Sequence, residues 1–94
     1  MVIDVAKWAG YMHWHDNDPR RNRRGFPDLV LVHQRNGRLI FVELKSDKGK
    51  LRPEQQVWAE LLGRHHEFYV WKPVHWTNGT IRSVLTAETR RAAA

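Results

Sequence analysis

An α/β fold, with one central mixed β-sheet flanked by helices, is predicted for this 94-residue chain by three observations. Two apolar runs rich in β-branched residues, Asp28 to Val32 and Leu39 to Lys45, flank Asn36-Gly37, the strongest short signal for an antiparallel hairpin. An amphipathic stretch from Pro53 to Gly63 then separates the second run from a third, Phe68 to Trp71, as in a right-handed β-α-β crossover, so the sheet is mixed. The length allows one core only, and 41% hydrophobic against 28% charged residues is the composition of a globular domain.

Taken in order, Val2, Val5, Ala6 and Ala9 recur at helical spacing before Gly10, which predicts a short first helix. His13-Trp14-His15 reads as a short strand, and the polar stretch Asp16 to Gly25, with Arg20, Arg21, Arg23 and Arg24, as a charged loop. The hairpin follows, then a polar turn from Ser46 to Lys50. Pro53 suits the first position of a helix, and Val57, Trp58, Leu61 and Leu62 form its apolar stripe up to Gly63. Arg52 stands at the N-cap, where the absence of a Ser or Thr oxygen costs roughly 1 kcal/mol. The strand Phe68 to Trp71 stops at Pro73, Thr80 to Leu85 adds a helical turn or two, and Ala87 to Ala94 is a frayed basic tail. Residues 1–86 are therefore expected to form a single domain and 87–94 a flexible tail. Trp8, Trp14, Trp58 and Trp71 are expected in the core, and Trp76, beyond Pro73, at a base-stacking or dimer contact.

Sixteen Lys and Arg against ten Asp and Glu give a formal charge of +6, which points to a phosphate-bearing partner. No apolar run approaches the roughly 20 residues that span a bilayer. Asp4 and Lys7 interrupt Met1 to Met12, so no signal peptide is expected there and no membrane partner either. The lack of cysteine excludes a disulfide framework and a thiolate zinc site and fits a reducing cytoplasm.

The polar residues of the hairpin coincide. With Asn36 and Gly37 as the centre of a type I′ turn, Val32 faces Phe41, Val30 faces Glu43 and Asp28 faces Lys45. Alternation with period two then puts Asp28, Val30 and Val32 on one face with Phe41, Glu43 and Lys45. A four-residue loop preserves this register; an odd-length loop breaks it. On the helix, Gln55, Trp58, Ala59 and Leu62 fall on one face, so Gln55 points at the sheet from the first turn. Two carboxylates able to share a hard divalent ion suit Mg²⁺, and Lys45 beside them can orient a metal-bound water or stabilise charge building on phosphorus. That is the equipment of a phosphodiesterase.

Gly25-Phe26-Pro27-Asp28, then Glu43-Leu44-Lys45, then Gly49-Lys50-Leu51 with Gln55 and Trp58, and finally Tyr69-Val70-Trp71-Lys72-Pro73, resemble in order the PD-(D/E)xK nucleases. More narrowly, the chain from about Val2 to Trp76 resembles the VRR-Nuc family in its small stand-alone versions from phages and bacteria. The resemblance implies a restriction-endonuclease-like α/β core, and Mg²⁺ or Mn²⁺ held by Asp28, Glu43 and the Leu44 carbonyl. It also implies Lys45 beside the attacking water and Gln55 as the family's assisting glutamine. The activity implied is that of a homodimeric, structure-selective DNA endonuclease resembling Holliday-junction resolvases, working on branched or duplex DNA in the cytoplasm of a bacterium or an infected host cell. The family's first helix contributes a glutamate to the metal site; here the first helix offers only Asp4.

Simpler readings compete at several of these residues. Asp28 and Lys45 alone are an ordinary solvated pair, and Glu43 and Gln55 converging from the same direction are what make a site of them. The arginine loop leads directly into Asp28, so Arg20, Arg21, Arg23 and Arg24, with Lys48 and Lys50, are expected to meet DNA phosphates. His15 is expected beside them, as a DNA contact or as an ordinary surface histidine. The histidines lack the helical H-x-x-x-H spacing of a metal site. The rival from another class is a non-catalytic nucleic-acid-binding module that keeps the nuclease fold for its basic surface.

Overall fold

The computed structural model describes residues 2–15 and 24–87. Arg20, Arg21 and Arg23 and the tail from residue 88 onward lie outside the described residues. Helix α1 (Val2–Trp8) leads into strand β1 (Tyr11–His15), and the hairpin strands β2 (Leu29–His33) and β3 (Leu39–Leu44) follow. Helix α2 (Pro53–Gly63) crosses to strand β4 (Glu67–Trp71), and two short helices, α3 (Pro73–Thr77) and α4 (Thr80–Thr86), close the fold. The sheet order is β1-β2-β3-β4, antiparallel through the first three strands and parallel between β3 and β4. This is the mixed sheet with flanking helices of a restriction-endonuclease-like fold, and the crossover through α2 is what makes the last pairing parallel.

Alternation along the strands sorts the side chains onto two faces. One face carries Tyr11, Leu29, Leu31, Ile40, Val42 and Trp71, buried against Ala6 of α1 and Ile81 and Leu85 of α4. The other is aromatic: Phe26 meets Trp14, Phe41 and Trp58 edge-on, at centroid distances of 5.9, 6.3 and 5.1 Å. Trp58 brings α2 onto this second face.

Four details differ from the sequence expectation. The hairpin loop has four residues, since the His33 N–H donates to the Arg38 carbonyl at 2.9 Å. Gly37 takes φ +72° but Asn36 does not have the positive φ that a type I′ turn requires. Partners therefore shift by two: Val30 faces Phe41 and Val32 faces Leu39. The even loop length keeps the faces as expected, so Asp28 still shares its face with Glu43. On α2, the side turned to the protein is that of Gln55, Trp58, Ala59 and Leu62, whereas Val57 and Leu61 are exposed.

Only Trp71 of the four expected core tryptophans is fully buried; Trp8 is 77% exposed, Trp14 is 44% exposed and Trp58 is half-buried. Trp8 lies two residues beyond buried Ala6, about 200° round the helix from it, which turns it to solvent. Finally, Pro73 both stops β4 and starts α3, because the missing N–H and fixed φ of proline suit a first helical position.

Arg38 ties the far end of the sheet together. Its guanidinium makes two 2.7 Å bonds to the Glu67 carboxylate and donates to the Tyr11 hydroxyl at 3.1 Å and the Val84 carbonyl at 2.7 Å. One side chain thus joins β1, β3, β4 and the carbonyl end of α4, where a cation is favoured.

Candidate active site

The site forms where β2 begins and β3 ends. Asp28 precedes β2, and its Oδ2 accepts the Leu44 N–H at 2.8 Å, a bond that fixes the carboxylate across the hairpin. Glu43, on the next residue of β3, is only 2% exposed. Gln55 reaches it from the first turn of α2: its Nε2 donates to Glu43 Oε1 at 3.3 Å, while its Oε1 accepts the Arg52 N–H at 2.8 Å. A glutamine at the third helical position therefore does two tasks. It completes half of a capping box, so the N-terminus is not left bare despite Arg52 at the cap, and it holds the carboxylate.

Glu43 Oε2 has no hydrogen-bond partner, although it is buried. Burial, with the Asp28 carboxylate beside it adding to the effect, pushes the Glu43 carboxyl up to about 8, against the opposing pull of Lys45 and Arg52. In the ionised carboxylate that oxygen is a buried acceptor without a donor, which costs on the order of 1–3 kcal/mol, and such groups need an explanation. The oxygen-only donor set of Asp28, Glu43 and the Leu44 carbonyl suits a hard divalent cation, which would satisfy the orphaned oxygen. Among the described residues no third carboxylate or histidine gathers with this pair. Asp4 is exposed and lines a separate recess with Val5, Trp8 and Arg82.

The loop that carries Asp28 is locked to the helix that carries Gln55. Gly25 takes φ +87°, and a Cβ there would lie 2.5 Å from the Glu54 carbonyl oxygen, so only glycine lets the loop pass this close to α2. The Trp58 indole N–H donates to the Arg24 carbonyl at 3.1 Å, and Phe26 packs edge-on to the same ring. The expected phosphate ligand Arg24 is exposed, with its Nε on Glu54 Oε1 at 3.1 Å. Lys48 and Lys50 are exposed on the turn between β3 and α2, at the same end of the sheet as the acidic pair. His15 pairs with Leu29 across β1 and β2, next to Asp28 in sequence but on the opposite face. Arg52 is the residue that sequence reasoning missed: in the sequence it is only a poor cap, whereas in the structure its charge acts on Glu43. Its place one turn before Gln55, beside a predicted acidic pair, is the signal that could have found it.

A restriction-endonuclease-like sheet with a carboxylate pair, a lysine and a helix-borne glutamine at one end defines a nuclease-type domain. The chain belongs to the VRR-NUC domain family, whose model matches residues 3–76. No curated protein and no solved structure matches it.

Proposed function

We propose that this protein is a divalent-metal-dependent DNA endonuclease of the PD-(D/E)xK type, structure-selective and acting as a homodimer in the manner of a Holliday-junction resolvase. The observation that carries the reading is the buried, orphaned Glu43 Oε2 beside Asp28, held in place by Gln55 and flanked by Lys45. A structural salt bridge has no use for an unsatisfied carboxylate oxygen, and a pure DNA binder gains nothing from carboxylates turned toward phosphate.

Asp28, Glu43 and the Leu44 carbonyl would hold Mg²⁺ or Mn²⁺, which supplies Lewis acidity toward the phosphate and lowers the pKa of a bound water. The chain does the rest. Gln55 fixes the rotamer of Glu43, and the Leu44 N–H fixes that of Asp28, so both donors are in place before substrate arrives. Lys45 orients the attacking water and offsets the negative charge that grows on the phosphate oxygens. Water adds to phosphorus as the 3′-oxygen leaves, giving a 5′-phosphate and a 3′-hydroxyl. Exposed Lys48 and Lys50, with Arg24 and, from the sequence, Arg20, Arg21 and Arg23, supply contacts to the DNA backbone. Two identical sites are required to cut a four-way junction symmetrically, and a core this small gains from association.

The test is cleavage of end-labelled single-stranded, duplex, flap and four-way-junction DNA with Mg²⁺ or Mn²⁺, beside EDTA. Paired symmetric cuts in the junction, abolished by EDTA, are expected. Binding in EDTA without cutting of any substrate in either metal would leave the non-catalytic module as the answer.

A further inference from the structure

A recess of about 380 Å³ opens on the opposite face of the sheet from Glu43, yet it reaches the candidate active site. Its apolar walls are Val2 and Ile3 of α1, Leu29, Leu44 and Trp71 of the sheet, and Trp76 of α3. Its charged or titratable lining is Lys45, Lys72 and His15, with no carboxylate among the residues that line it. Lys45 belongs to both places, since it lines the recess and its charge also acts on Glu43. Trp76 is 40% exposed there, and Trp71, buried and stacked on Tyr69, has an indole N–H without a partner. Neither tryptophan is used by the hydrolysis described above.

We propose that this recess receives one unpaired nucleobase of the strand being cut, stacked on Trp76, with the adjoining phosphates on Lys45 and Lys72. The inference rests on the nuclease reading and names what its substrate must offer. Apolar walls with an aromatic face suit the π-face of a base, and a cationic lining free of carboxylates suits the phosphates that come with it. The volume is at the small end of the roughly 300–1,000 Å³ of ligand sites, which fits a single base. A base inside a duplex shows only its edge, so the occupant has to come from a single-stranded, branched or locally opened segment. The recess therefore accounts for selectivity by structure without any reading of sequence in a groove.

The test is an abasic walk. Flap DNA with one abasic nucleotide moved stepwise past the branch is titrated in EDTA, where binding is read apart from cleavage, against the unaltered protein, Trp76→Ala and Trp76→Phe. One position is expected at which loss of the base weakens binding to the unaltered protein about tenfold or more. The same change is expected to leave Trp76→Ala nearly unaffected, while Trp76→Phe keeps most of the sensitivity. Equal effects in all three proteins, or no sensitive position, would overturn the proposal. Should Trp76→Ala fail to fold, 2-aminopurine placed along the flap decides with the unaltered protein: quenching confined to one position supports the recess, and no quenching at any position overturns it. Cleavage of the intact flap in Mg²⁺ is followed in parallel. Cleavage without a sensitive position removes the base site and keeps the nuclease; a sensitive position without cleavage does the reverse; absence of DNA binding removes both.

Discussion

Glu43 is the buried carboxyl of the proposed site, and its protonation gives a prediction with a definite sign. In the metal-free fold its carboxyl is pushed up to about 8, whereas the unfolded chain restores the ordinary value of about 4.5. Between those values the folded state keeps a proton that the unfolded state has lost, so this stabilisation is complete below the unfolded value and disappears as pH rises through 8. The melting temperature in EDTA is therefore expected to fall between about pH 5 and 8, and the Glu43→Gln protein to lack that fall. Mg²⁺ takes the ionised carboxylate, so its affinity, measured by calorimetry, is expected to rise with pH by up to about tenfold per unit over the same window. A pH-independent affinity would mean that Glu43 is not a ligand. That Asp28 and Glu43 share a face and that Gln55 turns toward them from α2 was legible in the sequence, because strand alternation and helix spacing specify faces; the position of Lys45 was not, since it follows the end of β3 and also lines the recess on the opposite face. An even-length loop preserves faces even when it shifts partners by two. The influence of Arg52 and the orphaned Oε2 were not legible, because both follow from how deeply Glu43 is buried, which strand alternation does not specify.

At the scale of elements, the site depends on α2 lying against the Gly25-Phe26-Pro27-Asp28 loop, and glycine is what permits the approach. Gly25→Ala introduces both strain at φ +87° and a clash with the Glu54 carbonyl, so a loss of about 2–3 kcal/mol is expected in urea unfolding. Because the displaced helix turn carries Gln55, cleavage is expected to fall tenfold or more even where the protein remains folded. Retained cleavage with lowered stability would show that the helix position is not coupled to the site. The order of strands and the crossover were readable from apolar runs and turn residues. Helix α3 was not, since Pro73 ends a strand and begins a helix, and a five-residue helix has too few turns to show a period. The apolar stripe on α2 misled for a related reason: Val57 and Leu61 are as apolar as Trp58 and Leu62, and only tertiary packing chooses between the two sides.

Across the whole molecule, the Arg38 network and the proposed site sit at opposite ends of the sheet. Arg38→Ala breaks a largely buried ion pair together with bonds to β1 and α4, so about 3–5 kcal/mol is expected to be lost in denaturant unfolding. The folded fraction is expected to cleave within about twofold of the unaltered protein, because Arg38 is remote from Asp28 and Glu43. The +6 charge, legible from composition, implies DNA affinity that falls steeply with salt. The tryptophans were harder to place. Trp8 is turned to solvent by its phase on α1, whereas Trp14 is 44% exposed, with Met12 and Val32 exposed near it on the β1 side of the sheet, because α2 reaches the other half of that face. Sedimentation at micromolar concentration is expected to show a dimer, and a monomer would remove the two-site account of junction cutting. The most direct measurement of the central claim is cleavage of an end-labelled four-way junction by the unaltered protein and by Lys45→Ala in Mg²⁺, with binding and melting temperature of both recorded beside it. The expected result is symmetric cutting by the unaltered protein, and none by Lys45→Ala, which still folds and binds DNA. Undiminished cutting by Lys45→Ala would place the chemistry elsewhere.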